Sequence, residues 1–101
     1  MIREIPKRFK LFATTIEVVV KDNSNEEENY LGLSDNIGSQ IIVADKHKGK
    51  KVCADVMRDS FYHEKVHAIL DAMNEDKLSS SEKFVDVFAR LLRQSDESSE
   101  Y

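Results

Sequence analysis

The stretch His63-Glu64-Lys65-Val66-His67 restricts the folds open to this chain more than any other. Four residues make about one turn of α-helix, so on a helix His63 and His67 point from the same face, one turn apart. The apolar spacing around the segment, with Tyr62, Val66, Ile69 and Met73 in one stripe, predicts a helix. The helix must also leave the histidine face open to a neighbouring element, because two side chains do not complete a metal site. The rest of the sequence is read by asking what could approach the face.

Two imidazoles a turn apart can hold one metal ion, and Glu64 is then set beside the ion, not on it. A base stands there if it is to take a proton from a metal-activated water. The pattern His-Glu-x-x-His on a helix is the spacing of zinc-dependent hydrolysis. Catalytic zinc usually takes three protein ligands, so a third is needed.

Cys53 lies ten residues before His63, too far along the same helix, and reads as a small buried residue. His47 sits in the basic cluster Lys46-His47-Lys48-Gly49-Lys50-Lys51, which reads as a solvated turn before a helix. Asp71 points away from a site centred between the two histidines. Glu82 is the better candidate, with Asp86 four residues on and on the same helical face. One carboxylate can bind metal while the other accepts the outer N–H of a ligating histidine. Ala89 continues this face with little bulk, so two helices could approach closely. A competing reading exists, because Ser79-x-x-Glu82 is also a capping box. Taken alone the box is simpler; the helical motif upstream and Asp86 downstream favour the ligand.

The chain has 101 residues, 41% hydrophobic and 34% charged, which suits one domain with one modest core. A single cysteine cannot form an internal disulfide and favours a reducing compartment, so a cytoplasmic location is expected. The start, Met1 to Arg8, shows no apolar signal segment, and no run reaches the length of a membrane span. A net charge of −4 argues against nucleic acid as the main partner.

Arg8 to Lys21 reads as extended, with the β-branched run Thr14 to Val20 at its centre. Asp22 to Asn29 is a polar loop. Tyr30 to Ser34 and Ser39 to Ala44 read as a hairpin around the turn Asp35-Asn36-Ile37-Gly38. Helical spacing begins somewhere in 48–54 and should end near Met73-Asn74. After a connector at 74–78, a last helix is expected from Ser81 to about Gln94, with Phe84, Val85, Phe88, Leu91 and Leu92 as its apolar stripe. Strands first and helices after predict an α+β domain over residues 1–94. Its sheet should be small, mostly antiparallel and of three to four strands, packed on the motif helix and the helix that follows. Ser95 to Tyr101 is expected to be a flexible acidic tail.

His63-Glu64-Lys65-Val66-His67 followed by Glu82-Lys83-Phe84-Val85-Asp86 resembles the gluzincin clan of zinc metallopeptidases, the thermolysin-like motif set. The likeness extends through Ser81 to Phe88 and to the hairpin segment Gly38-Ser39-Gln40-Ile41-Ile42-Val43. It covers roughly residues 30–92 and is greatest to the single-domain minigluzincins and small prophage-encoded peptidases. The resemblance implies a minimal zincin fold and one Zn2+ per chain, held by His63, His67 and Glu82. It implies Glu64 as general base and then proton donor, and Asp86 as the group orienting His63. Tyr30, Leu31, Gly32, Leu33 and Ser34 would form the edge strand along which an extended peptide binds. Larger members of the clan have an asparagine where Ser81 stands here. They also carry a C-terminal subdomain whose histidine or tyrosine stabilises the oxyanion; Tyr30, His47 and Tyr62 are the candidates in this chain. Two other readings accompany the peptidase: a non-catalytic module braced by zinc that binds a protein partner, and a latent proteinase that needs a partner or processing.

Overall fold

Ile41-Ile42-Val43-Ala44 is an unbroken apolar run, and such a run suits a strand covered on both faces. In the structure, a computed structural model that describes residues 5–24 and 30–101, all four side chains are buried. They belong to β4 (Gln40–His47), which occupies the middle of a mixed sheet. The sheet also contains β1 (Arg8–Leu11), β2 (Thr14–Asp22), β3 (Gly32–Asp35) and the two-residue β5 (Lys50–Lys51). The order is β1-β2-β4-β3, with β5 also paired to β4. Three of these pairings are antiparallel and the central β2–β4 pairing is parallel. The expected α+β class is what the molecule has, with five strands where three to four were predicted.

The extended segment Arg8 to Lys21 divides into two strands at Phe12, whose φ of 53° turns the chain. The edge strand begins at Gly32 and not at Tyr30, although the Leu31 carbonyl still accepts the Ala44 N–H. The predicted readings at 1–4 and 25–29, the chain start and most of the polar loop, lie outside the described residues.

Three helices follow: α1 (Ala54–Ala72), α2 (Asp76–Ser79) and α3 (Glu82–Ser98). Helix α1 starts and stops within the predicted limits. It lies between sheet and α3, so it buries two faces. Phe61 and Ala68 meet Ile16, Ile41 and Val43 of the sheet, while Val66 and Leu70 meet Val85 and Ala89 of α3. This is why its sequence lacks one clean apolar stripe. Cys53 is corrected: it is exposed at the N-cap of α1, where its side chain makes no capping bond.

The connector contains a helical turn, α2, which sequence periodicity cannot detect at four residues. Helix α3 continues four residues past Gln94, because its last turn is tied to α1. Tyr62 Oη donates to Asp96 Oδ2 at 3.0 Å, and Glu97 lies 3.3 Å from Arg58 and 3.0 Å from Arg93. The expectation of a free tail from Ser95 therefore gives way to helix as far as Ser98. Truncation after Gln94 removes these partners from two arginines whose side chains are only 14–19% exposed. The expected cost is about 1–2 kcal/mol, a melting temperature lower by roughly 5–10 °C for a domain of this size. Thermal unfolding of the truncated chain checks it.

Candidate metal centre

Helix α1 turns His63 and His67 toward α3, and the close passage over Ala89 brings Glu82 across to meet them. His63 Nε2 lies 3.2 Å from Glu82 Oε2, and His67 Nε2 lies 3.4 Å from Glu82 Oε1. The three groups can offer ligand atoms all within 4.8 Å of one another, the only such set of His, Cys, Asp or Glu among the described residues. A tetrahedral ion with ligand bonds of about 2.0–2.1 Å separates its ligands by about 3.3–3.4 Å. The two imidazole nitrogens approach different oxygens of the one carboxylate at distances near that edge. These distances are long for charge-assisted hydrogen bonds, which run at about 2.7–2.9 Å. The donor set of two imidazoles and one carboxylate also suits zinc.

The two histidines have different neighbours at Nδ1. His67 Nδ1 lies 3.1 Å from Ser79 Oγ. With a lone pair of the hydroxyl accepting the Nδ1 proton, Nε2 is left free to bind metal. His63 Nδ1 faces Asp86 Oδ1 at 3.9 Å, too far for a hydrogen bond. The other oxygen of Asp86 is shared with Arg90 at 3.4 Å. Asp86 therefore stands on the predicted side of His63 without a hydrogen bond to it.

Ser79 corrects the capping-box reading. It closes α2, and the N-cap of α3 is Ser81, whose Oγ accepts the Phe84 N–H at 3.3 Å. Glu82 is then the first residue of α3, too early to reach back as the far half of a box. In the sequence Ser79 stands just past the 74–78 connector, where a hydroxyl reads as a helix cap. Ser79→Ala is expected to weaken zinc binding by roughly 10–100-fold, as loss of a group supporting a ligand does. Ser81→Ala should instead cost about 1 kcal/mol of stability. Zinc titration and thermal unfolding of the two variants separate the roles.

Glu64 is buried at the junction of α1 and β3, only 9% exposed. Burial pushes its pKa up, His63 and His67 oppose that, the Glu82 charge adds to it, and the Ser34 backbone N–H opposes it. Gly32 passes so close that a Cβ there would stand 3.0 Å from Glu64 Cγ. A side chain at 32 would crowd the carboxylate, and this close approach is what the glycine permits. Sequence reading assigned Gly32 and Ser34 to a substrate edge and missed that both also hold Glu64.

The remaining candidates lie elsewhere. His47 Nδ1 is 3.1 Å from Asn23 Oδ1 at the far end of β4, and Tyr62 Oη is engaged by Asp96. The carbonyl of Tyr30 accepts from the Asn23 side chain. Cys53 and Asp71 are not in the cluster. Among the described residues no helix is long and apolar enough to cross a membrane. Comparison with protein-family models, with curated proteins and with solved structures finds no match for this chain.

Proposed function

We propose that this protein is a zinc-dependent peptidase that hydrolyses a peptide bond in an extended chain. One observation carries the reading. A His63–His67–Glu82 set whose ligand atoms lie within 4.8 Å of one another stands next to Glu64, a buried carboxylate outside that set. A purely structural site needs ligands and has no use for a buried acid beside them, since its burial costs free energy. When bound, zinc polarises a carbonyl and lowers the pKa of water. The chain's own residues supply the rest. Glu64 takes and returns the proton. Ser34 N–H and Gly32 fix the position of its carboxylate. The free side of β3 offers main-chain groups to an incoming strand.

Protein purified without a histidine tag is expected to bind one zinc per chain by elemental analysis. Loaded with zinc, it is expected to cleave unfolded polypeptides, and a chelator should stop it. No zinc uptake would sink the reading at its base. Zinc uptake with no cleavage would leave a zinc-braced binding module.

A further inference from the structure

The composite edge of the sheet joins the proposed site to a basic hairpin, and the hairpin has no role in the reading above. Lys46 pairs with Asp22 of β2 on one side of β4 and with Lys51 on the other. Strand β5 must therefore lie on the same side of β4 as β3, and both run antiparallel to it. Along that side β4 meets Asp35, Ser34, Leu33 and Gly32, and then Lys51 and Lys50. The Ala44 N–H bond to Leu31 and the Val52 N–H bond to Asp45 set the alternation. By that alternation Gly32, Ser34 and Lys51 turn their main-chain groups away from β4, with the Ser34 N–H already engaged by Glu64. The β4 partners of Gly32 and Lys51, Val43 and Lys46, lie three residues apart, roughly 10 Å along the strand.

The hairpin is built against its own electrostatics. Lys46, Lys48, Lys50 and Lys51 fall within six residues that contain no acid, in a chain with nineteen acids. Lys46 and Lys51 stand directly opposite each other, an unfavourable arrangement for like charges. Lys48 has a φ of 52° at a turn position that asparagine or glycine ordinarily fills. Among the described residues Lys48, Lys50 and Lys51 form no ion pair. The hairpin is nonetheless braced: Gly49 N–H donates to Ser24 Oγ at 2.9 Å, and His47 lies 3.1 Å from the buried Asn23.

We infer that Lys50 and Lys51 select peptides with acidic residues on the carboxyl-terminal side of the segment held at the proposed zinc site. A peptide antiparallel to β3 runs parallel to β4, so its carboxyl-terminal residues travel from Gly32 toward Lys51. The inference rests on the peptidase reading for the site and on strand pairing for the direction.

The test uses zinc-loaded Glu64→Gln protein and two fluorescent peptides of one extended apolar sequence. One carries a run of glutamates after that sequence, and the other carries the same run before it. Anisotropy at low salt is expected to show roughly tenfold tighter binding when the acids follow, with the difference shrinking as salt screens it. The double variant K50E/K51E, with its zinc content checked, should lose the difference. Equal binding of the two peptides overturns the inference, as does a difference that survives in K50E/K51E; edge lysines would then only deter aggregation. Displacement of the peptide by single-stranded DNA of equal charge at lower concentration also overturns it, in favour of a nucleic-acid contact. Cleavage by the wild type is scored separately. Cleavage without the difference removes the inference and keeps the peptidase. The difference without cleavage keeps the docking edge and removes the peptidase.

Discussion

His63→Ala is expected to lose zinc affinity by more than about 100-fold, since loss of a group that merely supports a ligand already costs roughly 10–100-fold. Two ligands would remain, His67 and Glu82, and they cannot close a tetrahedral site. Any stability that zinc gives the folded state is lost with it, because binding to the native state alone shifts unfolding by mass action. Wild type should therefore melt higher with zinc than without, and His63→Ala should melt alike in both. Glu82→Gln tests the third ligand in the same way. It replaces an anion by a neutral amide at a side chain that is 71% exposed, so folding should hardly respond while zinc affinity falls steeply. Competition against a zinc indicator measures both variants. Unchanged affinity in Glu82→Gln would remove the third ligand.

Glu64→Gln is expected to keep zinc and fold while peptide cleavage falls by about 100- to 10,000-fold, the usual share of general acid–base catalysis. The stability side has a definite sign. Burial raises the Glu64 pKa, so the metal-free folded state holds that proton more tightly than the unfolded chain does. Its contribution to stability is then fully present below the ordinary carboxylate pKa. It falls as pH rises toward the raised folded value and is lost above it. Glutamine has no charge to bury and still offers an oxygen to the Ser34 N–H. Metal-free Glu64→Gln should melt with wild type in mild acid and above it near neutral pH. Cleavage at wild-type rate by Glu64→Gln would remove the mechanism. A lower melting temperature at neutral pH would show that the carboxylate stabilises the fold.

The sequence by itself determined the elements whose signal is local. The spacing of His63 and His67 pointed to a helix and Ser39 to Ala44 to a strand, while of the apolar stripe expected on α3 Val85 is buried but Phe88 and Leu91 are 47% and 60% exposed. The α+β class followed from their order, and Glu82 was within reach because a carboxylate and a helix start are both visible in a string of letters. What depended on a second partner distant in sequence was decided only by the tertiary structure. Ser79 reads as a cap until α2 turns it toward His67. Gly32 reads as one residue of an edge until α1 places Glu64 beneath it. Ser95 to Ser98 read as tail until Tyr62, Arg58 and Arg93 of two helices fix the last turn. The parallel alignment of β2 with β4, which puts β3 and the lysine hairpin on one edge, carries no local mark at all. Pairing partners are chosen by burial of the whole sheet, and periodicity reports only which residues of one strand share a face.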